Sequence, residues 1–340
     1  MSNRFERPGM GFVDLAIKEL KKPQTFLDDV DKFVNWEPID KLLSKKLKKN
    51  KDALGTPAYP ALSMFKILLL QRWYDLSDVG IEEALADRIS FRRFVNFSFS
   101  YDTPDSSTIC RFRNSLVKYK LNNKFFSIIN KQLRSSGLII KQGIIVDASI
   151  IHSSRKPRKM IDVNQISEDK NSTNEPAITY SEDRDAKWTV KANKPYYGYK
   201  LHMSTDLYHG FVTGGIVTGA NRADTKEIMP LVGKSSLDNK AVVLADKGYC
   251  SSKNREDIVK LGYTPGIMYR AYRNKPLTRL EKDLNSIVSS IRGTVERVFG
   301  TLKRGYGFYR TRYLGIAKTR GQFFLSAMAY NLKKATTFIP

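Results

Sequence analysis

Residues 138–153 read LIIKQGIIVDASIIHS, two short β-branched runs that directly follow Gly137. The second run carries a single acid, Asp147, behind three apolar residues. This stretch decides the fold because the periodicity changes here. Upstream, LSMFKILLLQRWYDLSDVGIEEALADRISFRRFV places Leu62, Phe65, Leu69 and Trp73 at helical spacing. TPDSSTICRFRNSLVKYKLNNKFFSIINKQLRSSG then offers Pro104, Asp105 and Ser106 as a helix start and Gly137 as a stop. Downstream, strand patterns recur at YYGYKLHMSTD, GFVTGGIVTGAN, KAVVLADKGY and TPGIMYR, with helical segments near DTKEIMPLVGK and SSKNREDIVKLG. Three strands in succession, then alternating helix and strand, describe an α/β fold: a mixed sheet flanked by helices, with one antiparallel edge and an all-helical N-terminal domain ahead of it. The expected division is residues 1–140 and 141–335, with a polar insertion at about 153–195 that lacks periodicity and reads as a loop or a partly disordered segment.

Two more acids occupy comparable settings. Asp246 ends the apolar run of VVLADKGY, and Glu296 lies in RGTVERVFGTLKR. On a helix, Ile287, Ile291, Val295, Val298 and Leu302 form a core stripe, with Arg292, Glu296 and Lys303 on the adjacent face. A carboxylate closing a buried strand is costly unless it meets a cation or the solvent edge. Each aspartate also suits a capping role, and Glu296 also suits a surface pair with Arg292. Together the three suggest a carboxylate cluster for hard divalent cations such as Mg2+, with Mn2+ a substitute. Two ions about 3.5–4 Å apart would serve an in-line displacement at a phosphodiester. Asp183, Asp185, Asp206 and Asp224 rank second. His152, His202 and His209 lack zinc-ligand spacing and read as structural or DNA-facing. GFVTGGIVTG has no Lys-Ser/Thr ending and fails as a phosphate loop.

The 340 residues carry 58 Lys+Arg against 34 Asp+Glu, a formal charge of +24. Such charge attracts a polyanion, although it also suits solubility or a ribosomal or membrane surface. Arg297 to Pro340 holds nine Lys/Arg and no acid, with Tyr306, Phe308, Tyr309 and Tyr313 interleaved to pack or to stack on bases. Arg292, Lys303, Arg304 and Lys247 are candidate phosphate contacts beside the acids. Arg111 and Arg113 would face DNA if the N-terminal helices form a helix-turn-helix-like unit, and would otherwise be solvated or paired with acids. The lysines at 45, 46, 48, 49 and 51 suit a solvated helix end equally well. Only Cys110 and Cys250 occur, without disulfide or zinc spacing, and no apolar stretch spans a bilayer or marks a signal core. A reducing cytoplasm, beside the nucleoid, is the expected location.

PDSSTICRFRNSL, YYGYKLH, TGANRADTKE, LADKGY and VERVFGTLKRGYGFYRTRYLG, in that order, resemble a bacterial insertion-sequence transposase of the DDE type, most like the insertion sequence 5 family. The resemblance covers nearly the whole chain. It implies a ribonuclease H-like catalytic domain with the first acid on the first strand, the second after the fourth, and Glu on a late helix. Carried over, these are Asp147, Asp246 and Glu296, as catalytic and metal-binding residues. Arg292 and Lys303 match the family's spacing around the Glu, whereas Ser289 stands where the family has Tyr. The resemblance further implies metal-dependent cleavage of double-stranded DNA at terminal inverted repeats, strand transfer to target DNA, and a homodimer or larger assembly. A DNA-binding regulator without catalysis is the alternative.

Overall fold

The computed structural model describes residues 24–47, 58–99, 102–156, 159–161, 178–180 and 183–338. Lys48, Lys49 and Lys51 lie outside them, and Lys45 and Lys46 are exposed at a helix end. Up to residue 136 the regular elements among the described residues are helices: α1 Phe26–Phe33, α2 Glu37–Lys46, α3 Ala61–Trp73, α4 Asp78–Asp87, α5 Ile89–Val95, α6 Ser106–Lys118 and α7 Leu121–Ser135. The α3 sequence ALSMFKILLLQRW is apolar on all sides, the pattern of a helix at the centre of a bundle, and Met64 through Trp73 are all buried. Its two internal cations are accommodated differently. Lys66 donates to Asp31 at 2.5 Å, and burial draws the Arg72 guanidinium down to about 10. The start of α6 follows its sequence signature, since Asp105 accepts from the Thr108 N–H at 2.8 Å. The run to residue 135 is broken into two helices at Lys120, whose φ is 53°; Gly137 then ends α7 with φ 72°.

The sheet begins with β1 Gly143–His152, and Leu138–Gln142 is not part of it. It continues with β4 Lys187–Lys191, β5 Lys194–Asp206, β6 Val212–Gly219, β7 Val242–Ala245 and β8 Thr264–Ile267, while β2 Lys159–Ile161 and β3 Ile178–Tyr180 pair separately. The order is β4-β5-β1-β7-β8, with β6 on the same outer edge of β5 as β4. The β1–β5, β5–β6 and β4–β5 pairs are antiparallel, and β1–β7 and β7–β8 are parallel. This is the expected mixed sheet, with parallel pairs on one side of β1 and antiparallel pairs on the other. The insertion at 153–195 is more regular than expected: it contains β4 and the start of β5. KWTVK alternates over too few residues to register as a strand until its partner is known.

Alternation splits the sheet between two cores. Ile145 and Leu244 face one side, while Ile144, Val146, Val243 and Ala245 face the other. The second side is covered by α8 Ile228–Val232 and α9 Ser252–Lys260. The first side carries α10 Arg279–Arg304 and α11 Ile316–Ala335, and its core runs on without a break into the N-terminal helices. In α11, Asn331 accepts from the Val212 N–H at 2.8 Å, and it donates to the Val212 carbonyl and to Asn130. Trp73 Nε1 donates to the Ala329 carbonyl at 2.7 Å. A Cβ at Gly215 would lie 2.2 Å from the Phe323 ring, so glycine here lets α11 approach the strand.

Two expectations are corrected. The buried arc of α10 begins at Val288 rather than Ile287, which is 62% exposed; Val295, Val298, Phe299 and Leu302 continue it. Neighbouring residues on a helix lie about 100° apart, so a stripe drawn in steps of four drifts off the buried side. Arg113, a candidate DNA contact, is buried: it donates to Asp78 at 2.5 Å and lies 4.5 Å over the Tyr313 ring. Arg111 is exposed and donates to Ser107 and Thr108. Tyr306 and Phe308 of the basic tail are also buried, leaving Tyr309 exposed. Breaking a buried pair strands its partner's charge, so Arg113→Ala lowers the unfolding free energy by about 3 kcal/mol in a urea titration, whereas Arg111→Ala changes it by less than about 0.5 kcal/mol. Equal stability of the two variants would contradict the structural role of Arg113.

Candidate active site

β1 and β7 run parallel in register, with Val146 opposite Ala245. Asp147 is the next residue of β1, which runs on to His152 rather than ending at the acid, and Asp246 is the first residue after β7, so two carboxylates emerge side by side where the parallel pairing stops. The carboxyl ends of parallel strands are where open α/β sheets bind ligands. Asp147 accepts from the Ala148 N–H at 2.8 Å, and its side chain is 15% exposed. Asp246 caps the short turn Lys247–Tyr249 and accepts from the Lys247 N–H at 2.6 Å.

Arg292, reaching down from α10, lies between them. Its Nη2 is 2.9 Å from Asp147 and its Nη1 is 3.4 Å from Asp246. Burial raises the Asp147 carboxyl above its ordinary value, and Arg292 and the Ala148 N–H only partly oppose this. For Arg292, burial pulls the guanidinium down, but Asp147, then Asp246 and Glu296, more than offset it and hold it above its ordinary value. The Arg292 Nε is buried without a hydrogen-bond partner. A guanidinium therefore balances the two carboxylates while one of its own donors, Nε, is left unsatisfied.

Glu296 sits one turn further along α10 and is exposed. The surface pair between Arg292 and Glu296 is not formed, because Arg292 turns to the aspartates. Among the described residues no three His, Cys, Asp or Glu side chains come close enough to hold one metal ion. The structure thus brings Asp147 and Asp246 together and leaves Glu296 outside that pair. The pair itself suits a hard divalent cation: two carboxylates share one cationic partner, and that partner has an unsatisfied buried donor. Lys303 is half-buried, two turns beyond Glu296, and burial and then Lys191 draw its ammonium down. Lys247, Arg304 and Ser289 are exposed.

Behind the turn that carries Asp246 lies a polar cluster that the strand-end pattern did not single out. Tyr249 is buried, and its hydroxyl is 3.3 Å from His202 Nδ1. His202 Nε2 is 3.2 Å from the Thr218 hydroxyl, which itself donates to the Gly219 carbonyl. Thr218 must then accept, which places the His202 proton on Nε2 and leaves Nδ1 to accept from Tyr249. Asp224 lies 3.8 Å from His202 and accepts from Lys200 at 2.9 Å. A Cβ at Gly248 would lie 3.2 Å from the Asp224 carboxylate. This cluster braces the Lys247–Tyr249 turn from the opposite face of the sheet. Its sequence signal is KLH, RAD and DKGY, three pieces whose relation only the sheet reveals. The other second-ranked acids are structural: Asp183 accepts from Ser153 and Tyr199, Asp185 from the Ile316 N–H, and Asp206 from the backbone of its own turn. A cavity of about 490 Å³ lined by Arg184, Lys187, Arg222 and Arg320 opens elsewhere, at the outer edge of β6.

Residues 140–332 match the family model described as transposase DDE domain, and residues 15–115 match that described as transposase domain (DUF772). The chain belongs to the DDE transposase family. Transposases of this family generally use divalent metal ions. The solved structures it resembles include the piggyBac transposase synaptic complex with hairpin DNA, at 10% identity over 93% of this chain and 80% of that one, with a TM-score of 0.38. The Mos1 strand transfer complex shares 10% identity over 94% of this chain and 90% of that one, with a TM-score of 0.22. No helix among the described residues is long and apolar enough to cross a membrane.

Burial lowers His202 from 6.5 to about 4. Between those values the unfolded chain binds a proton that the folded one excludes, so this contribution is complete above about pH 6.5 and is lost as pH falls toward 4, by up to about 3 kcal/mol. Asp147 and Asp206, raised by burial, act in the opposite sense just above the ordinary carboxylate range. Comparison with a variant isolates the histidine: His202→Gln loses less stability than wild type between pH 7 and 4.5 in urea titrations. Parallel losses would remove His202 from this role.

Proposed function

We propose that the chain is an insertion sequence 5-type transposase that binds the terminal inverted repeats of its element, cuts the strands there and transfers them to target DNA. The observation that supports this most directly is the paired emergence of Asp147 and Asp246 where the parallel pairing of β1 and β7 stops, with Arg292 of α10 between them. Asp147 and Asp246 would hold the divalent ions, Mg2+ or Mn2+, with Glu296 completing the set from α10. Bound there, such ions would supply activation of the attacking oxygen and neutralisation of the leaving one.

The protein's own groups do the rest. The carboxylates hold their positions because each is fixed by the backbone N–H of the residue that follows it. Arg292 balances them when no other cation is present, and when released it carries its charge to the phosphate that is cut. Lys247, Lys303 and Arg304 would neutralise backbone phosphates of the same duplex, which sets register without reading sequence. Recognition of the element ends falls to residues 1–140, with Arg111 as the exposed candidate, and catalysis to residues 141–335. Holding two ends at once calls for a dimer or a larger assembly on DNA, in the bacterial cytoplasm beside the nucleoid.

Purified wild type and Asp246→Asn, incubated with a plasmid carrying the DNA that flanks this gene, with and without Mg2+ or Mn2+, test the reading. Wild type makes metal-dependent breaks at the repeat ends. Loss of one charged ligand removes about 3 kcal/mol or more of transition-state stabilisation, so Asp246→Asn and Glu296→Gln cut at least ~100-fold more slowly with binding retained. End-specific binding by wild type with no cleavage under any metal would instead establish the non-catalytic regulator, and normal cleavage by Glu296→Gln would remove Glu296 from the site.

A further inference from the structure

β4 and the start of β5 form a two-stranded ribbon joined by the two-residue turn Ala192–Asn193. Both turn residues have positive φ, 48° and 59°, the type I′ geometry that suits the twist of a hairpin. Cross-strand partners share a face. The register sets Lys191 opposite Lys194 and Thr189 opposite Tyr196 on one face, and Val190 opposite Pro195 and Trp188 opposite Tyr197 on the other. The tip from Val190 to Pro195 is exposed throughout, Trp188 is 52% exposed and Val190 is 70% exposed.

By alternation along β5, the Trp188–Tyr197 face lies on the side of the sheet that carries Met203 and its partner Asp147, and the lysine face lies on the other side. Tyr196 lies 5.5 Å from the ring of His152, the last residue of the strand that carries Asp147. Lys191 is close enough to Lys303 on α10 for its charge to be felt there. None of Lys191, Lys194 and Lys303 has a carboxylate partner among the described residues. Like charges set directly opposite one another destabilise a ribbon, and an exposed Trp–Val face on a protruding arm is costly in water. A polyanion with flat apolar bases relieves both. A two-stranded ribbon also has the width of a DNA groove.

Resting on the transposase reading, we propose that residues 187–197 form a DNA-gripping arm. Its Lys191–Lys194 pair at the tip holds the backbone of the duplex that enters the site, and Trp188, on the Asp147 side of the sheet, stacks on a base freed where that duplex is opened. Met203 pairs with Asp147, and the strand from Met203 to Lys194 extends roughly 30 Å at about 3.3 Å per residue. The phosphates held by the lysines therefore lie close to one helical turn, about 34 Å, from the strand that is cut.

The test uses the full chain in EDTA with two probes, a duplex of the element end and the same duplex carrying a short unpaired stretch. Of the three tryptophans, Trp36 and Trp73 lie within the helical core and Trp188 is the exposed one, so its emission reports the arm. We expect wild-type fluorescence to be quenched by the open probe, and Trp188→Phe to lose that quenching and about 10-fold of its preference for the open probe. Lys191→Ala combined with Lys194→Ala should lower the log–log salt slope of binding by about 2 and weaken both probes alike, at an unchanged melting temperature. Wild-type binding with variants that keep its slope, affinity and quenching overturns the arm alone. No duplex binding by wild type overturns the transposase reading and the arm together. Loss of self-association by Trp188→Phe with DNA binding intact assigns that face to a second copy of the chain and overturns its role on DNA.

Discussion

Val212 opens β6, and both its N–H and its C=O are bonded to the Asn331 side chain, with Asn130 bonded to the same carbonyl and to Asn331. Three segments from distant parts of the chain meet there in a fully buried network with all of those donors and acceptors matched. Leaving any one of them unpaired costs more than the bond itself is worth, so the network fixes where α11 lies against β6 and against α7. The packing of Phe323 on Gly215 and the bond from Trp73 to Ala329 follow from that placement. Because α11 serves the N-terminal helices and the sheet at once, the two share one core, and the sheet edge that carries the aspartates is held by the whole chain.

Electrostatics at that edge oppose the packing around it. Two carboxylates side by side at the rim of a buried sheet are tolerable only with a cation between them. The chain supplies one in Arg292, on a helix that also carries Glu296 and Lys303. The same helix thus carries the balancing charge together with Glu296 and Lys303. The opposite face is neutral at its centre: His202 is held uncharged by burial and joined to Tyr249, and the charges of Asp224 and Lys200 cancel nearby. The turn that carries Asp246 is therefore gripped between a charged face and a nearly neutral one.

Much of this was legible from the residues. β1 and β7 announced themselves by apolar runs ending in an acid, and their mixed sheet followed from the order of strands and helices. The cap at Asp105 and the stop at Gly137 were readable because capping is local chemistry. What escaped was set by partners distant in sequence. Arg113 looks like any exposed helical arginine until Asp78 and Tyr313 are folded against it. KWTVK is too short to stand out as a strand until β5 offers its edge. Val288 rather than Ile287 faces the core because the sheet under α10, and not the helix pattern alone, decides which arc is covered. Asp224 and His202 become neighbours of Tyr249 only through strand pairing and crossover.

The pairing of Asp147 with Arg292 joins residues 145 positions apart, and Trp73 meets Ala329 across 256. Neither half of the site has a local precursor. At a synthesis rate of about 5–20 residues per second, a 340-residue chain takes tens of seconds to make, and α10 and α11 emerge last. For that interval the nascent polypeptide is strongly basic yet has not assembled Asp147, Asp246 and Arg292, and its helical half lacks the segment that closes its core. The acidic pair and its arginine thus come together only once α10 has been made, and a stop before α11 removes packing from the N-terminal helices and the sheet at once.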